Sequence, residues 1–142
     1  MRNYCALLVL LALPLAAEKK TIVPPEFAGG TANFSPGILV DGTLYVSGQI
    51  GQDLKTKQVP ADFETEVKTL LSNIGIVLKA AGMTYKDVVS VQVYLTDMDL
   101  FPRMNAVYTT FFPDPRPSRT TVGVTKLAAP AAHIEVTVTA RK

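Results

Sequence analysis

The chain has 142 residues, 48% of them hydrophobic, which suits one packed domain and argues against a disordered segment. Fourteen basic and 12 acidic residues leave a formal net charge of +2 with no basic run, so the sequence carries no electrostatic footprint for nucleic acid. One cysteine (Cys5) and one histidine (His133) exclude a disulfide framework and a His-rich metal site, and any Ser-His-Asp triad would have to use His133.

Residues 1–17, MRNYCALLVLLALPLAA, combine one positive charge (Arg2), an apolar run over 6–15 and the small pair Ala16-Ala17. That is the pattern of a secretory signal peptide, with cleavage expected after Ala17 and the protein exported to a periplasm or secreted. The apolar run is too short for a stable membrane anchor, and Cys5 lies before it, badly placed for lipid attachment. Cleavage would remove Arg2 and Cys5, leaving a domain over 18–142 without a thiol.

Residues 18–33, with Pro24-Pro25 and Gly29-Gly30, read as an extended segment. Residues 37–40 and 43–47 flank Asp41-Gly42, a hairpin signal because both central positions of the turn need positive φ. A polar loop follows over 52–60. The spacing then predicts a helix over 61–81, with Asp62 as N-cap and Glu64 and Glu66 at the positive end of its dipole. Phe63, Val67, Leu70, Leu71, Ile74, Val77, Leu78 and Ala81 make its apolar stripe, and Gly82 stops it.

Residues 88–96 (VVSVQVYLT) read as a mostly buried strand. A second helix is predicted over 99–112, with Leu100, Met104, Val107, Tyr108 and Phe111 inward and Pro102 in its first turn. Residues 113–117 form a turn, 118–124 a strand, 126–132 a loop and 133–140 a closing strand. The order β-β-α-β-α-β-β predicts an α+β domain: a mixed sheet with two helices on one face, the other face solvated or covered by another subunit.

Strand side chains alternate. In the penultimate strand Arg119, Thr121 and Gly123 share one face, and Thr120, Val122 and Val124 the other. In the last strand Ile134, Val136, Val138 and Ala140 are the apolar face, and His133, Glu135, Thr137 and Thr139 the polar one. If the apolar faces meet the helices, Arg119 and Glu135 both point to the helix-free side. Alternation leaves two readings open. The pair is either a weak surface ion pair, or an anion clamp with a nearby base, since a guanidinium grips a carboxylate through two parallel hydrogen bonds and a carboxylate can orient or deprotonate water.

Five motifs carry a resemblance: Phe34-Ser35-Pro36; Leu44-Tyr45-Val46-Ser47-Gly48-Gln49-Ile50; Met104-Asn105-Ala106-Val107-Tyr108 with Phe111-Phe112-Pro113; Pro117-Ser118-Arg119-Thr120-Thr121-Val122; and Ile134-Glu135-Val136. In this order they resemble the RidA/YjgF family of 2-imino acid deaminases. The resemblance implies a chorismate-mutase-like α+β fold, a homotrimer with sites at subunit interfaces, and hydrolysis of 2-iminopropanoate and 2-iminobutanoate to 2-oxo acids and ammonia, without cofactor or metal. By the same resemblance Arg119 grips the substrate carboxylate and Glu135 positions the attacking water. Gly48 and Thr121 line the pocket through backbone groups, with contributions from Ser47, Asn105 and Phe34.

Two positions depart from the family pattern. Phe34 stands where tyrosine is frequent and Thr121 where cysteine is frequent. These departures, with the export signal, keep open a non-catalytic carboxylate-binding or chaperone-like member of the same fold. Ser47 and Asn105 also have ordinary structural readings as a strand-end hydroxyl and a helix-face amide. His133 reads as a strand-edge surface residue.

Overall fold

The computed structural model describes residues 18–28 and 33–142. The expected signal peptide and the Gly29-Gly30 pair lie outside the described residues. The strands are β1 (Lys20–Ile22), β2 (Gly37–Val40), β3 (Thr43–Ile50), β4 (Val88–Leu95), β5 (Ser118–Gly123) and β6 (Ile134–Arg141); the helices are α1 (Phe63–Ala80) and α2 (Phe101–Phe111). They form one six-stranded sheet in the order β1-β2-β3-β6-β4-β5. All neighbours are antiparallel except β4 and β5. Both helices cover one face, giving the expected α+β architecture. The extended N-terminal segment contributes one element beyond the expected order, since its residues 20–22 pair with β2 as an edge strand.

Local signals explain the elements. Asp41 and Gly42 have φ of 48° and 69°, as the two-residue hairpin between β2 and β3 requires. The Asp62 carboxylate caps α1 by accepting from the Thr65 N–H at 2.8 Å and the Thr65 hydroxyl at 2.6 Å. Gly82, with φ 71°, follows the end of that helix. The helix α2 starts later than the spacing suggests because Asp97 caps a short 3-10 turn, Met98–Leu100, ahead of it.

The predicted α1 stripe is buried from Phe63 to Leu78. Against it lie Leu44 and Val46 of β3, Val91, Val93 and Leu95 of β4, and Ile134, Val136, Val138 and Ala140 of β6. These sheet residues are register partners, so they share the helix-covered face. At the end of α2, Phe112 is fully buried and Phe111 only half-buried, the reverse of the expected pair, because the chain turns extended at Phe112 and swings that ring inward.

Three polar side chains are buried among the described residues, Gln49, Glu66 and Asn73, and the last two tie elements together. Glu66 is fully buried rather than exposed at the helix start. Its carboxylate accepts from the His133 backbone N–H at 2.7 Å and lies 2.8 Å from the His133 Nδ1. His133 keeps an exposed ring, as expected of a surface residue, but its inner edge pins the start of β6 to α1. Asn73 of α1 donates to the carbonyls of Ile50 and Gln52, at 3.3 and 2.9 Å, and holds the chain as it leaves β3.

Candidate functional site

The site begins with an irregularity in β3. Val46 pairs with Val138 and Gln49 with Val136, so Ser47 and Gly48 together face the single residue Thr137. This β-bulge reverses the alternation: Leu44 and Val46 are buried, and then Gln49 is. Gly48 is thereby set beside the Glu135 side chain of β6. A Cβ on Gly48 would lie 1.9 Å from Glu135 Oε1, so only glycine leaves room for this carboxylate.

Glu135 opens into a cavity of about 280 Å³ beyond the end of β3. Phe27, Phe34, Ile50 and Leu54 supply its apolar wall, and Gly48 and Gln49 its floor beside the carboxylate. Phe34 is 54% exposed, so it forms a lip rather than a packed wall. The loop below is held by Asp53, whose carboxylate accepts from the backbone N–H groups of Thr56 at 2.7 Å and Lys55 at 2.9 Å. Those backbone bonds, Thr56 first, hold its carboxyl below the usual range. Ser47 is not part of the cavity wall. Its hydroxyl donates to the Ser35 carbonyl at 2.6 Å, and its N–H to Pro36 at 3.0 Å, tying the segment that carries Phe34 to the bulge.

Arg119 lies elsewhere. Val91 pairs with Arg119 and Val93 with Thr121, and both valines are buried beneath the helices. Arg119 and Thr121 therefore sit on the helix-covered face, while Val122 pairs with Tyr94, itself the partner of Glu135. The expectation that Arg119 and Glu135 share the helix-free side is corrected: within one chain they occupy opposite faces. The reason is that β5 is an edge strand with threonines on both faces, so its own pattern does not choose; the register to β4 does, and α2 offers aromatic rings to the arginine.

The Arg119 guanidinium lies over the rings of Tyr108, 4.6 Å from its centroid, and Phe101, 5.5 Å away. With Asn105 and Arg116 it lines a second, shallower concavity at the sheet edge. Arg116 is paired with Asp114 at 2.7 Å; Arg119 has no ion pair among the described residues. Thr121 is half-buried, and its hydroxyl oxygen is enclosed without a hydrogen-bond partner, as is that of Tyr108. Burial pushes the Tyr108 phenol pKa up, outweighing the lowering effect of the Arg119 charge. The structure thus groups Glu135, Gly48 and Phe34 in one concavity, Arg119 and Asn105 in another, and leaves Ser47 a structural tie. The sequence places Tyr108 on the inward face of the second helix, and the structure adds its contact with Arg119; its spacing of seven from Phe101 and three from Asn105 sets all three on one side of α2.

Known proteins resemble this chain in sequence and fold. The family described as Endoribonuclease L-PSP matches residues 27–142. A RutC family protein of Sulfurisphaera tokodaii is 41% identical over 77% of this chain and 87% of its own. The 2-iminobutanoate/2-iminopropanoate deaminase of Rattus norvegicus is 38% identical over 77% of this chain and 80% of its own. Among solved structures, the Rid family protein YyfA of Yersinia pestis superposes with a TM-score of 0.83 at 30% identity, over 88% of this chain and 100% of its own. The chain belongs to the Endoribonuclease L-PSP family, the family of the Rid proteins.

Proposed function

We propose that the protein hydrolyses short 2-imino acids, 2-iminopropanoate and 2-iminobutanoate among them, to 2-oxo acids and ammonium. The observation that carries this reading is the Glu135 carboxylate, seated over Gly48 at the wall of a small cavity and without an ion pair among the described residues. In the reaction R–C(=NH2+)–COO− plus water gives R–CO–COO− plus NH4+. Glu135 orients the water and takes its proton as oxygen adds to the imine carbon. It returns the proton to nitrogen as the carbinolamine collapses and ammonia leaves. Arg119 binds the substrate carboxylate through parallel hydrogen bonds. An iminium carbon is already electrophilic, so fixing it beside an aimed water supplies much of the rate.

Because Arg119 and Glu135 occupy opposite faces of one sheet, one chain does not bring both to one small molecule. The reading therefore includes a homotrimer in which the β5 edge of one copy supplies Arg119 to the Glu135 cavity of the next. The uncovered sheet face, with Tyr45 and Val122 exposed, supports such an assembly. Export, from the pattern of residues 1–17, is part of the same proposal.

The test is 2-oxo acid release from imines generated in situ by an L-amino-acid oxidase. The protein accelerates release over spontaneous hydrolysis, and Arg119→Ala or Glu135→Ala removes the acceleration; no acceleration by the unaltered protein overturns the reading. A second reading, small-carboxylate binding without turnover, is favoured by Phe34, which offers no hydroxyl at the cavity lip. Arg119-dependent binding of 2-oxo acids with no hydrolysis would select it.

A further inference from the structure

We infer that Tyr108 and Phe101 are positioning residues for Arg119, and that α2 acts as a rigid rest for the guanidinium. The inference rests on Arg119 being the carboxylate-binding group. Phe101 and Tyr108 are seven residues apart, two turns of α2, so they stand on one face with Asn105 between them. That face meets β5, where the register with buried Val91 turns Arg119 toward the helix. The guanidinium carbon then lies 4.6 Å from the Tyr108 centroid and 5.5 Å from that of Phe101.

The support under Arg119 continues into the core. Tyr108 stacks on fully buried Phe112, with centroids 4.4 Å apart and an interplanar angle of 29°. Phe112 meets Tyr85 edge-on at 5.5 Å. The Tyr85 hydroxyl donates to the Leu71 carbonyl of α1 at 2.7 Å. An arginine on an edge strand ordinarily samples many rotamers and gives up that freedom on binding an anion. Here an aromatic column rooted in α1 removes the freedom beforehand. Attraction to ring faces leaves the guanidinium N–H groups free to donate. The Tyr108 hydroxyl is buried and makes no hydrogen bond of good geometry, although Arg119 is near enough to lower the phenol pKa, so Tyr108→Phe separates the ring from the hydroxyl.

The experiment compares the protein with Tyr108→Leu, Tyr108→Phe and Phe101→Leu, each first checked for its assembly state and circular dichroism. Two quantities are read: the affinity for 2-oxobutanoate by calorimetry, and the chemical shift of the Arg119 side-chain Nε–Hε group. Phe101 is only partly buried, so its variant tests the idea even if Tyr108→Leu fails to fold. In the unaltered protein the Nε–Hε signal is displaced by ring current. Tyr108→Leu and Phe101→Leu move it toward that of free arginine and weaken 2-oxobutanoate about tenfold, the loss of one desolvated cation–π contact. KM for the imine rises in step while kcat changes less. Tyr108→Phe retains both shift and affinity. Unchanged shift and affinity in the two leucine variants, or a loss in Tyr108→Phe as large as in Tyr108→Leu, overturns the inference. If the unaltered protein does not bind 2-oxobutanoate, the carboxylate reading of Arg119 fails, and the Nε–Hε shift still decides whether the rings position it.

Discussion

Gly48 and Glu135 are in such close approach that a methyl group on Gly48 would occupy the place of the Glu135 carboxylate, 1.9 Å from Oε1. Gly48→Ala is therefore expected to displace the carboxylate while the bulge persists, since Gly48 is not among the glycines at positive φ. Imine hydrolysis should fall about 100-fold, the scale of a misplacement near 1 Å, with a far smaller change in thermal stability. Steady-state rates beside a melting curve check this. A fall in melting temperature that accounts for the lost rate would sink it.

The placement of Arg119 and Glu135 on opposite sheet faces predicts complementation between copies. Arg119→Ala and Glu135→Ala proteins are each expected to be inactive. Unfolded together in equal amounts and refolded, they should recover about a quarter of the normal rate, because random mixing in a ring places an intact Arg119 beside an intact Glu135 at one interface in four. No recovery from properly assembled mixtures would mean that one chain supplies both residues.

Arg119→Lys should not substitute for arginine. Lysine keeps the charge but loses the two-pronged geometry and the planar group that rests on Tyr108. We expect KM for the imine to rise about 10- to 100-fold, as for loss of a charge-assisted hydrogen bond. A KM within twofold of the unaltered value would contradict the carboxylate assignment.

The Glu66–His133 contact predicts a stability effect remote from the chemistry. Glu66→Ala strips the acceptor from the His133 N–H and leaves a void inside α1's packing face, costing about 2–4 kcal/mol in urea unfolding. Glu66→Gln retains one carbonyl acceptor and should cost less. Equal losses in the two variants would show that the hydrogen bond to the start of β6 contributes nothing.

Alkaline pH should weaken the fold through Tyr85, whose phenol pKa burial pushes up to about 12. Between pH 10 and that value the unfolded chain releases this proton and the native state retains it. Stability is therefore full below pH 10 and declines as pH rises through this window. The loss from Tyr85 is at most about 1–2 kcal/mol, reduced because the side chain is partly exposed. Urea midpoints from pH 8 to 11.5 should fall, and Tyr85→Phe should flatten the slope although it also loses the bond to Leu71.

Much of the fold could be read from the chain because its signals are local. The Asp41-Gly42 turn, the Asp62 cap, the α1 stripe and the apolar face of β6 each depend on residues a few positions apart. The site was legible as residue types but not as a place. Thr120, Thr121 and Val122 fit either face of an edge strand equally well, so alternation could not orient Arg119. The Ser47-Gly48 bulge was also invisible, because no local pattern tells which residue of β3 goes unpaired against β6.

Residue order alone specifies the types and order of the elements apart from the short edge strand β1, the family to which the motifs belong, and the residue types available for catalysis: one arginine and one glutamate in motif positions, no thiol in residues 18–142 and a single histidine. The element types and the residue inventory follow from composition and short-range periodicity; the family and the motif positions of Arg119 and Glu135 follow from the ordered motifs. That Arg119 rests on α2 beneath one face while Glu135 opens beside Gly48 on the other emerges only when the strands pair. That choice depends on the register between strands distant in the chain, where burying Val91 and Val93 under the helices dictates the direction of every side chain paired with them.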